Sequence, residues 1–145
     1  MKAGVFMALD LNVVRNKISI IERCIKRVDE EYENNPENLN NYTKQDAIIL
    51  NIQRACEAAI DLSMHLCAKM KLGIPQDSAS SFEFLARDGY ISLKLAKTLI
   101  GMVGFRNVAI HDYQSLNFDI FQSVIEKNLD DLLEFGELIL KLVSY

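Results

Sequence analysis

Apolar residues recur at intervals of three and four along most of this chain, and no segment of any length alternates with period two. The first helical segment is predicted over about residues 10–33, and its apolar stripe comprises Val14, Ile18, Ile21, Ile25, Val28 and Tyr32. A half-buried strand requires alternation, whereas an amphipathic helix requires the three-four spacing seen here. The pattern therefore predicts an all-α fold, a bundle of four long helices plus a short one.

Breaker and capping residues divide this pattern into helices. The asparagine-rich stretch 34–42 is predicted to be a loop. The second helix is predicted to begin at Thr43, with Asp46 completing an approximate capping box. Its apolar spacing continues to about Leu72, where Gly73 supplies a stop.

Three further boundaries follow from the same signals. Serines at positions 80 and 81 are predicted to cap a short helix over residues 82–88, which Gly89 ends. Ser92 is predicted to cap the fourth helix, and the fifth is predicted to begin after Asn117. At 145 residues, the chain is predicted to form a single domain, 1–145.

The charge balance excludes one class of function. The chain has 16 basic and 20 acidic residues, which give a net charge of -4. A protein that coats nucleic acid carries the opposite balance. The first helix carries a basic group (Arg15, Arg23, Lys26 and Arg27) for which a solvated face is favoured over a contact surface for RNA or an acidic partner. A general polyanion binder is excluded, but a small basic cleft is not.

Cysteine usage and hydropathy predict the compartment. Cys24, Cys56 and Cys67 are odd in number and lack the spacing of metal ligands. The N-terminus has no secretory signal, and no run reaches the roughly 18 apolar residues of a membrane span. A reduced, cytoplasmic protein with no membrane association is predicted.

A ladder of polar side chains follows one face of the second helix. Gln53, Glu57, Asp61 and His65 are spaced by four and therefore lie one above another. The two carboxylates and the histidine resemble part of a metal site, but one helix supplies too few ligands. We interpret the ladder as a polar cleft or interface and predict no metal.

The strongest candidates for chemistry lie between Arg106 and Tyr113. Asn107 and His111 are four apart and share a helical face, whereas Arg106 lies about 140° from His111 around the helix. Arg106 can converge with His111 through its long side chain, through unwinding of the helix end, or from a second subunit. An imidazole can exchange a proton with a ribose hydroxyl or leaving oxygen while a guanidinium stabilises phosphate charge. A structural alternative pairs Arg106 with an acid and makes His111 a helix cap.

The stretch R-N-V-A-I-H-D-Y, preceded by M-V-G-F and followed by Q-S-L-N-F-D-I, resembles the RX4HXY signature of the HepT-like HEPN ribonucleases. These are the toxins of HEPN/MNT toxin-antitoxin pairs. The resemblance covers nearly the whole chain, including Q-R-A-C-E-A-A-I-D-L in the second helix and L-G-I-P-Q after it. It implies a homodimeric, antiparallel HEPN-type helical bundle that cleaves RNA without metal or cofactor in the cleft between two protomers.

The resemblance also implies a partner and roles for the site residues. An MntA-like minimal nucleotidyltransferase antitoxin would use ATP to transfer AMP to Tyr113. His111 would be the general acid/base, Arg106 would stabilise charge, and Asn107 would orient the histidine or the phosphate. Asp112 would either tune His111 or cap the turn. The alternatives are a non-catalytic helical subunit that docks on or presents substrate to a nucleotidyltransferase, and a structural dimer that engages no nucleotide.

Overall fold

The protein is described by a computed structural model over residues 10–111 and 117–143, and the predicted all-α bundle is confirmed within those ranges. The α-helices are α1 (Leu11–Tyr32), α2 (Tyr42–Lys69), α3 (Ser78–Arg87), α4 (Leu93–His111), α5 (Phe118–Ser123) and α6 (Leu129–Val143). A 3-10 helix, Pro36–Asn40, lies in the predicted loop, and a π-helix, Val124–Asn128, joins α5 to α6. The last three elements follow one another without a break, as the single long helix predicted after Asn117 requires.

The first helix forms where its apolar stripe predicts it. The Asp10 side chain caps α1 by accepting from the backbone N–H groups of Asn12 and Val13, at 3.0 and 3.3 Å. All six residues of the stripe are buried: Val14, Ile18, Ile21, Ile25, Val28 and Tyr32. A continuous stripe of this kind faces the core of the bundle.

Helix α1 is antiparallel to α2. Lys17 near the start of α1 bonds Asp61 late in α2, and Lys44 near the start of α2 bonds Glu31 near the end of α1. The long polar side chains of the two helices thus meet along the outer edge of their shared interface, whereas the apolar stripe of α1 faces inward.

Helix α6 packs against α1 in the same antiparallel sense. Tyr32, at the end of α1, donates to Glu126, just before α6 begins. Near the other end, a Cβ added at Gly136 would lie 3.5 Å from Cγ2 of Ile18, so the two backbones approach closely. An edge-to-face contact between Phe82 and Phe135, with ring centroids 5.6 Å apart, brings α3 onto the same core.

Two predicted helix starts are wrong by a few residues. Asn41, not Thr43, caps α2, because its extended backbone directs the side chain to the N–H of Lys44 at 3.1 Å. Asp77, not the serine pair 80–81, caps α3 by accepting from the N–H of Ser80 at 2.8 Å. In each case a good N-cap residue lies upstream of the predicted one, so the helix begins earlier.

The predicted stop of α2 is also wrong. The helix ends at Lys69, and Lys71 takes the left-handed conformation (φ 56°) that allows Leu72 N–H to bond the carbonyl of Cys67. This is a Schellman motif with lysine at the position that usually holds glycine. Gly73 follows the stop instead of forming it.

Other boundaries are confirmed. Gly89 (φ 83°) ends α3, and Tyr90 N–H bonds the carbonyl of Leu85. The Ser92 hydroxyl accepts from Leu95 N–H at 3.0 Å before α4, and Asn117 caps α5. Across the described ranges, no helix has both the length and the apolar character needed to cross a bilayer.

Candidate active site

The core holds the last two turns of α4 in a fixed rotation. Met102, Phe105 and Ala109 are buried, and the Phe105 ring packs on Phe121 of α5 with centroids 6.0 Å apart. Because these residues lie three and four apart, they form the inward face of the helix. This anchoring determines where the neighbouring motif side chains point.

Arg106 is directed towards α2. Its Nη1 forms a charged hydrogen bond with Oε1 of Glu57, and the arginine side chain is only 16% exposed whereas that of Glu57 is 47% exposed. Its Nε is buried and has no hydrogen-bond partner among the described residues. The acid pairing raised as an alternative from the sequence is therefore present, and the acid comes from the polar ladder.

Asn107 and His111 lie on the open side of the same helix. Helix α4 continues through His111, so the two residues remain one turn apart on one face, and both are exposed. Within this protomer, the helix therefore turns Arg106 inward and His111 outward. Asp112 and Tyr113 lie outside the described residues.

The side chains of the ladder on α2 do not gather around one binding point. Glu57 pairs with Arg106, and Asp61 accepts from Nζ of Lys17 at 2.9 Å. His65 Nε2 instead accepts from the backbone N–H of Asp10 at 3.3 Å. In the described ranges, no three His, Cys, Asp or Glu side chains are grouped so that they could hold a metal ion. Glu57, Asp61 and His65 thus serve three separate contacts.

His65 has the electrostatics of a structural histidine. Its pKa is lowered, first because burial disfavours the charged form and second because Lys69 is nearby, while Asp10 acts in the opposite sense. The neutral ring is also the form that can accept the hydrogen bond at Nε2. His65 therefore helps to hold the start of α1 against α2.

The cysteines are unsuited to nucleophilic chemistry. Burial raises the pKa of Cys56 to about 12, although nearby Arg106 lowers it in part, and burial raises the pKa of Cys67 to about 11. Cys24 is also buried and its pKa is raised. A thiol must ionise to act as a nucleophile, so all three behave as core residues.

A cleft of about 700 Å³ lies between α1 and α2 and reaches α4 at Ile110. Gln53, Glu57 and Asp61 of the ladder line it, whereas His65 does not. Its cationic lining consists of Lys17, Arg23, Arg27 and Arg54. A cleft therefore lies beside the motif helix and is lined by three of the four ladder residues. That the whole ladder forms a polar cleft or interface stays a prediction.

The sequence alone missed two of these cations. Arg23 and Arg27 belong to the basic group of the first helix that was interpreted as a solvated face, whereas Lys17 and Arg54 were not singled out. Lys17 and Arg54 are on different helices, and only the packing of α1 on α2 brings them into one cleft. Lys17 lies next to the apolar stripe of α1, and this position at the edge of a buried face could have marked it from the sequence.

The fold and the motif define the class of protein, a small all-helical ribonuclease. A family model described as "Ribonuclease HepT-like" matches residues 20–139. The chain belongs to this family.

Individual relatives agree with the family assignment. The mRNA nuclease HepT of Shewanella oneidensis is 44% identical over 128 residues, which are 88% of this chain and 96% of that relative. A structure of the tri-AMPylated Shewanella oneidensis HEPN toxin in complex with MNT antitoxin is 44% identical and superposes with a TM-score of 0.84, covering 88% of this chain and 96% of that one. A toxin-antitoxin crystal structure with AMP-PNP gives 43% identity and a TM-score of 0.85, covering 88% and 97%.

Proposed function

We propose that this chain is a metal-independent endoribonuclease toxin whose Arg106 and His111 act at a composite site in a homodimer cleft. An MntA-like nucleotidyltransferase antitoxin would neutralise it by adding AMP to Tyr113. The mRNA nuclease relative and the AMPylated toxin bound to MNT antitoxin support this activity and this control. One observation carries the proposal: Glu57 of α2 fixes the direction of Arg106, and α4, which carries Arg106, also presents His111 to solvent.

The proposed reaction needs only proton transfer and charge stabilisation. A His111 imidazole takes the proton of a ribose 2'-hydroxyl, and the resulting oxygen attacks the adjacent phosphorus. The bond to the 5'-oxygen breaks, and a protonated imidazole gives that oxygen its proton. The products are a 2',3'-cyclic phosphate and a 5'-hydroxyl. The Arg106 guanidinium stabilises the charge on the phosphorane oxygens.

Arg106 is suited to this role because its orientation is already set. Glu57 occupies only part of the guanidinium, which carries five N–H donors in a planar fork. Nε is buried, but the remaining Nη donors can bind a phosphate oxygen without the arginine first being ordered. Asn107, one turn before His111 on the exposed face, is placed to orient the imidazole or hold a second phosphate oxygen.

The reaction uses two proton-transfer groups, and one protomer offers a single motif histidine. The chain contains only His65 and His111, and His65 lies two helical turns, or about 12 Å, beyond Glu57 along α2. A two-fold axis would bring two copies of His111 to one cleft, so that one acts as the base and the other as the acid. This requirement supports the homodimer.

AMP added to Tyr113 would block RNA cleavage directly. Tyr113 follows His111 by two residues, and each AMP unit carries a phosphate that competes with RNA for Arg106. RNA and ATP are both cytoplasmic compounds, and the three cysteines are free thiols. These points favour a cytoplasmic location.

Cleavage of labelled RNA in EDTA tests the ribonuclease activity. The purified chain should release a 2',3'-cyclic phosphate product, and the variants His111→Ala and Arg106→Ala should not. Cleavage by both variants at the rate of the parent would contradict the assignment. An inactive parent with or without metal would instead favour the non-catalytic subunit that presents substrate to a nucleotidyltransferase.

Co-expression with an MntA-like nucleotidyltransferase, followed by intact-mass spectrometry, tests the proposed AMPylation. The parent should gain one or more AMP units and lose ribonuclease activity, whereas Tyr113→Phe should gain none and stay active. Modification of Tyr113→Phe to the same extent as the parent would place the acceptor elsewhere. Absence of any addition to the parent would favour a structural dimer without nucleotide.

A further inference from the structure

We propose that the cleft between α1 and α2 holds the RNA strand beside the scissile bond, with Arg23 and Arg54 binding its phosphates as positioning residues. This inference rests on the proposed ribonuclease function and names where the substrate lies outside the reacting atoms. Four observations carry it: the position of the cleft, its free cations, their closeness, and its apolar floor.

The cleft is continuous with the motif. Ile110, which lines it at α4, immediately precedes His111, and Glu57, which lines it from α2, is the partner of Arg106. A strand whose scissile phosphate lies at Arg106 and His111 can therefore extend into the cleft without crossing another element. Its volume, about 700 Å³, accommodates nucleotides and not just a single phosphate.

Two of the four cations that line the cleft are available to a ligand. Lys17 already bonds Asp61 at 2.9 Å, and Arg27 bonds Glu31 at 3.1 Å. Neither Arg23 nor Arg54 has a carboxylate within ion-pair distance in the described part of the chain, and both are exposed. Although the chain has a net charge of -4, two guanidinium groups that line one cleft without an ion pair give it a local positive charge that suits an anion.

Arg23 and Arg54 come from different helices but act on one place. Both guanidinium groups lower the pKa of the same buried thiol, Cys24, against the larger effect of burial. Cys24 lines the cleft together with both arginines. The two cations therefore lie near the same part of the cleft, where one short strand can meet both.

The floor of the cleft favours a nucleotide over an acidic protein segment. Ile20, Leu50, Ala58 and Ile110 give it an apolar surface, and Leu50 and Ile110 are 43% and 47% exposed. Single-stranded RNA offers flat bases to such a surface and regularly spaced phosphates to guanidinium groups above it. An acidic peptide would match the cations but would leave the exposed floor uncovered.

Equilibrium binding tests this inference separately from cleavage. The full chain carrying His111→Ala, which removes turnover, is titrated into a fluorescein-labelled 12-nucleotide single-stranded RNA at several salt concentrations. The test variant adds Arg23→Ala and Arg54→Ala. The matched control adds Arg15→Ala and Lys26→Ala, which remove the same charge from exposed positions of α1 that do not line the cleft.

The test variant should bind RNA at least about tenfold more weakly, whereas the control should stay within about twofold. Loss of two phosphate contacts on a single strand should also reduce the slope of log affinity against log salt by about 1.4. Arg23→Lys with Arg54→Lys should restore much of the affinity because lysine retains the charge.

Three results would overturn the inference. The test and control pairs could weaken binding equally, which would mean that only net charge matters. The test pair could leave RNA affinity unchanged but weaken binding of the antitoxin protein. It could also dissociate the homodimer in size-exclusion chromatography. Either of these two results would assign the cleft to a protein surface.

A parent that binds RNA through the cleft but does not cleave it would support the inference and contradict the nuclease function.

Discussion

The motif arginine and the motif histidine lie within two turns of α4 but in opposite surroundings. Arg106 is 16% exposed and bonded to Glu57, whereas His111 is exposed on the face it shares with Asn107. In our proposal, the group that stabilises charge in a defined geometry is ordered by the fold of the protomer, and the group that exchanges protons is left open to the substrate. This division agrees with our proposal that a second protomer completes the active site.

Removal of the open group should have the largest effect. His111→Ala should lower kcat by on the order of 100-fold to 10,000-fold, because it removes general acid/base catalysis. The melting temperature should stay near that of the parent, because the side chain is exposed. Single-turnover cleavage of labelled RNA and a thermal melt measure the two quantities. Half of the parental activity would show that proton transfer is carried by another group.

Removal of the anchored group should come next. Arg106→Ala should lower kcat by on the order of 100-fold to 1,000-fold, since charge on the phosphorane is no longer stabilised. Arg106→Lys should recover only part of this, because an ammonium cannot contact Glu57 and phosphate with a planar fork. Full recovery by lysine would mean that charge alone matters and that the orientation imposed by Glu57 does not.

Loosening the anchor without removing the arginine should have a smaller effect. Glu57→Gln should lower kcat roughly tenfold, since Arg106 would keep its charge but lose its fixed direction. Asp88→Asn is the matched control, because it breaks the Arg87–Asp88 ion pair, which does not line the cleft. Equal cleavage rates for the two variants would show that Glu57 does not position Arg106.

The stability of the fold should depend on pH through His65. The pKa of His65 is lowered in the folded state, mainly by burial, so the unfolded chain binds the proton first as pH falls. Stability should therefore decline as pH drops below about 6.5, until the pH is below the folded pKa. Urea unfolding of the parent and of His65→Gln at several pH values between 5 and 8 should show a steeper decline in the parent. Parallel curves would contradict the structural role of His65.

The parts of the molecule that were predictable from the sequence depend on local signals. The stripe of α1 rests on residues spaced about one turn apart, and the Ser92 cap and the Gly89 stop rest on single residues beside a helix end; all three are confirmed. The start of α2 was misplaced because the capping-box spacing from Thr43 to Asp46 was preferred to the asparagine two residues upstream, and Asn41 is the residue with the extended backbone of a cap. Asparagine ranks above threonine as an N-cap, so residue type pointed to the correct start.

The contacts that build the site are long-range and were not predictable. Glu57 was noticed only as a step of a ladder, and its pairing with Arg106 joins residues 49 positions apart. Arg54 became part of the basic cleft only through the packing of α1 on α2. A sequence pattern orders side chains around one helix, whereas a site between helices depends on their relative rotation.

A mixed dimer tests the central claim, that the site is completed by a second protomer. Parent and His111→Ala chains carrying different affinity tags are co-expressed, and the dimer that contains one of each is purified and assayed on labelled RNA in EDTA. If two copies of His111 share one cleft, the mixed dimer should fall far below half of the parental activity, towards that of the His111→Ala homodimer. A mixed dimer with half of the parental activity would contradict the account, because each protomer would then carry a complete site of its own.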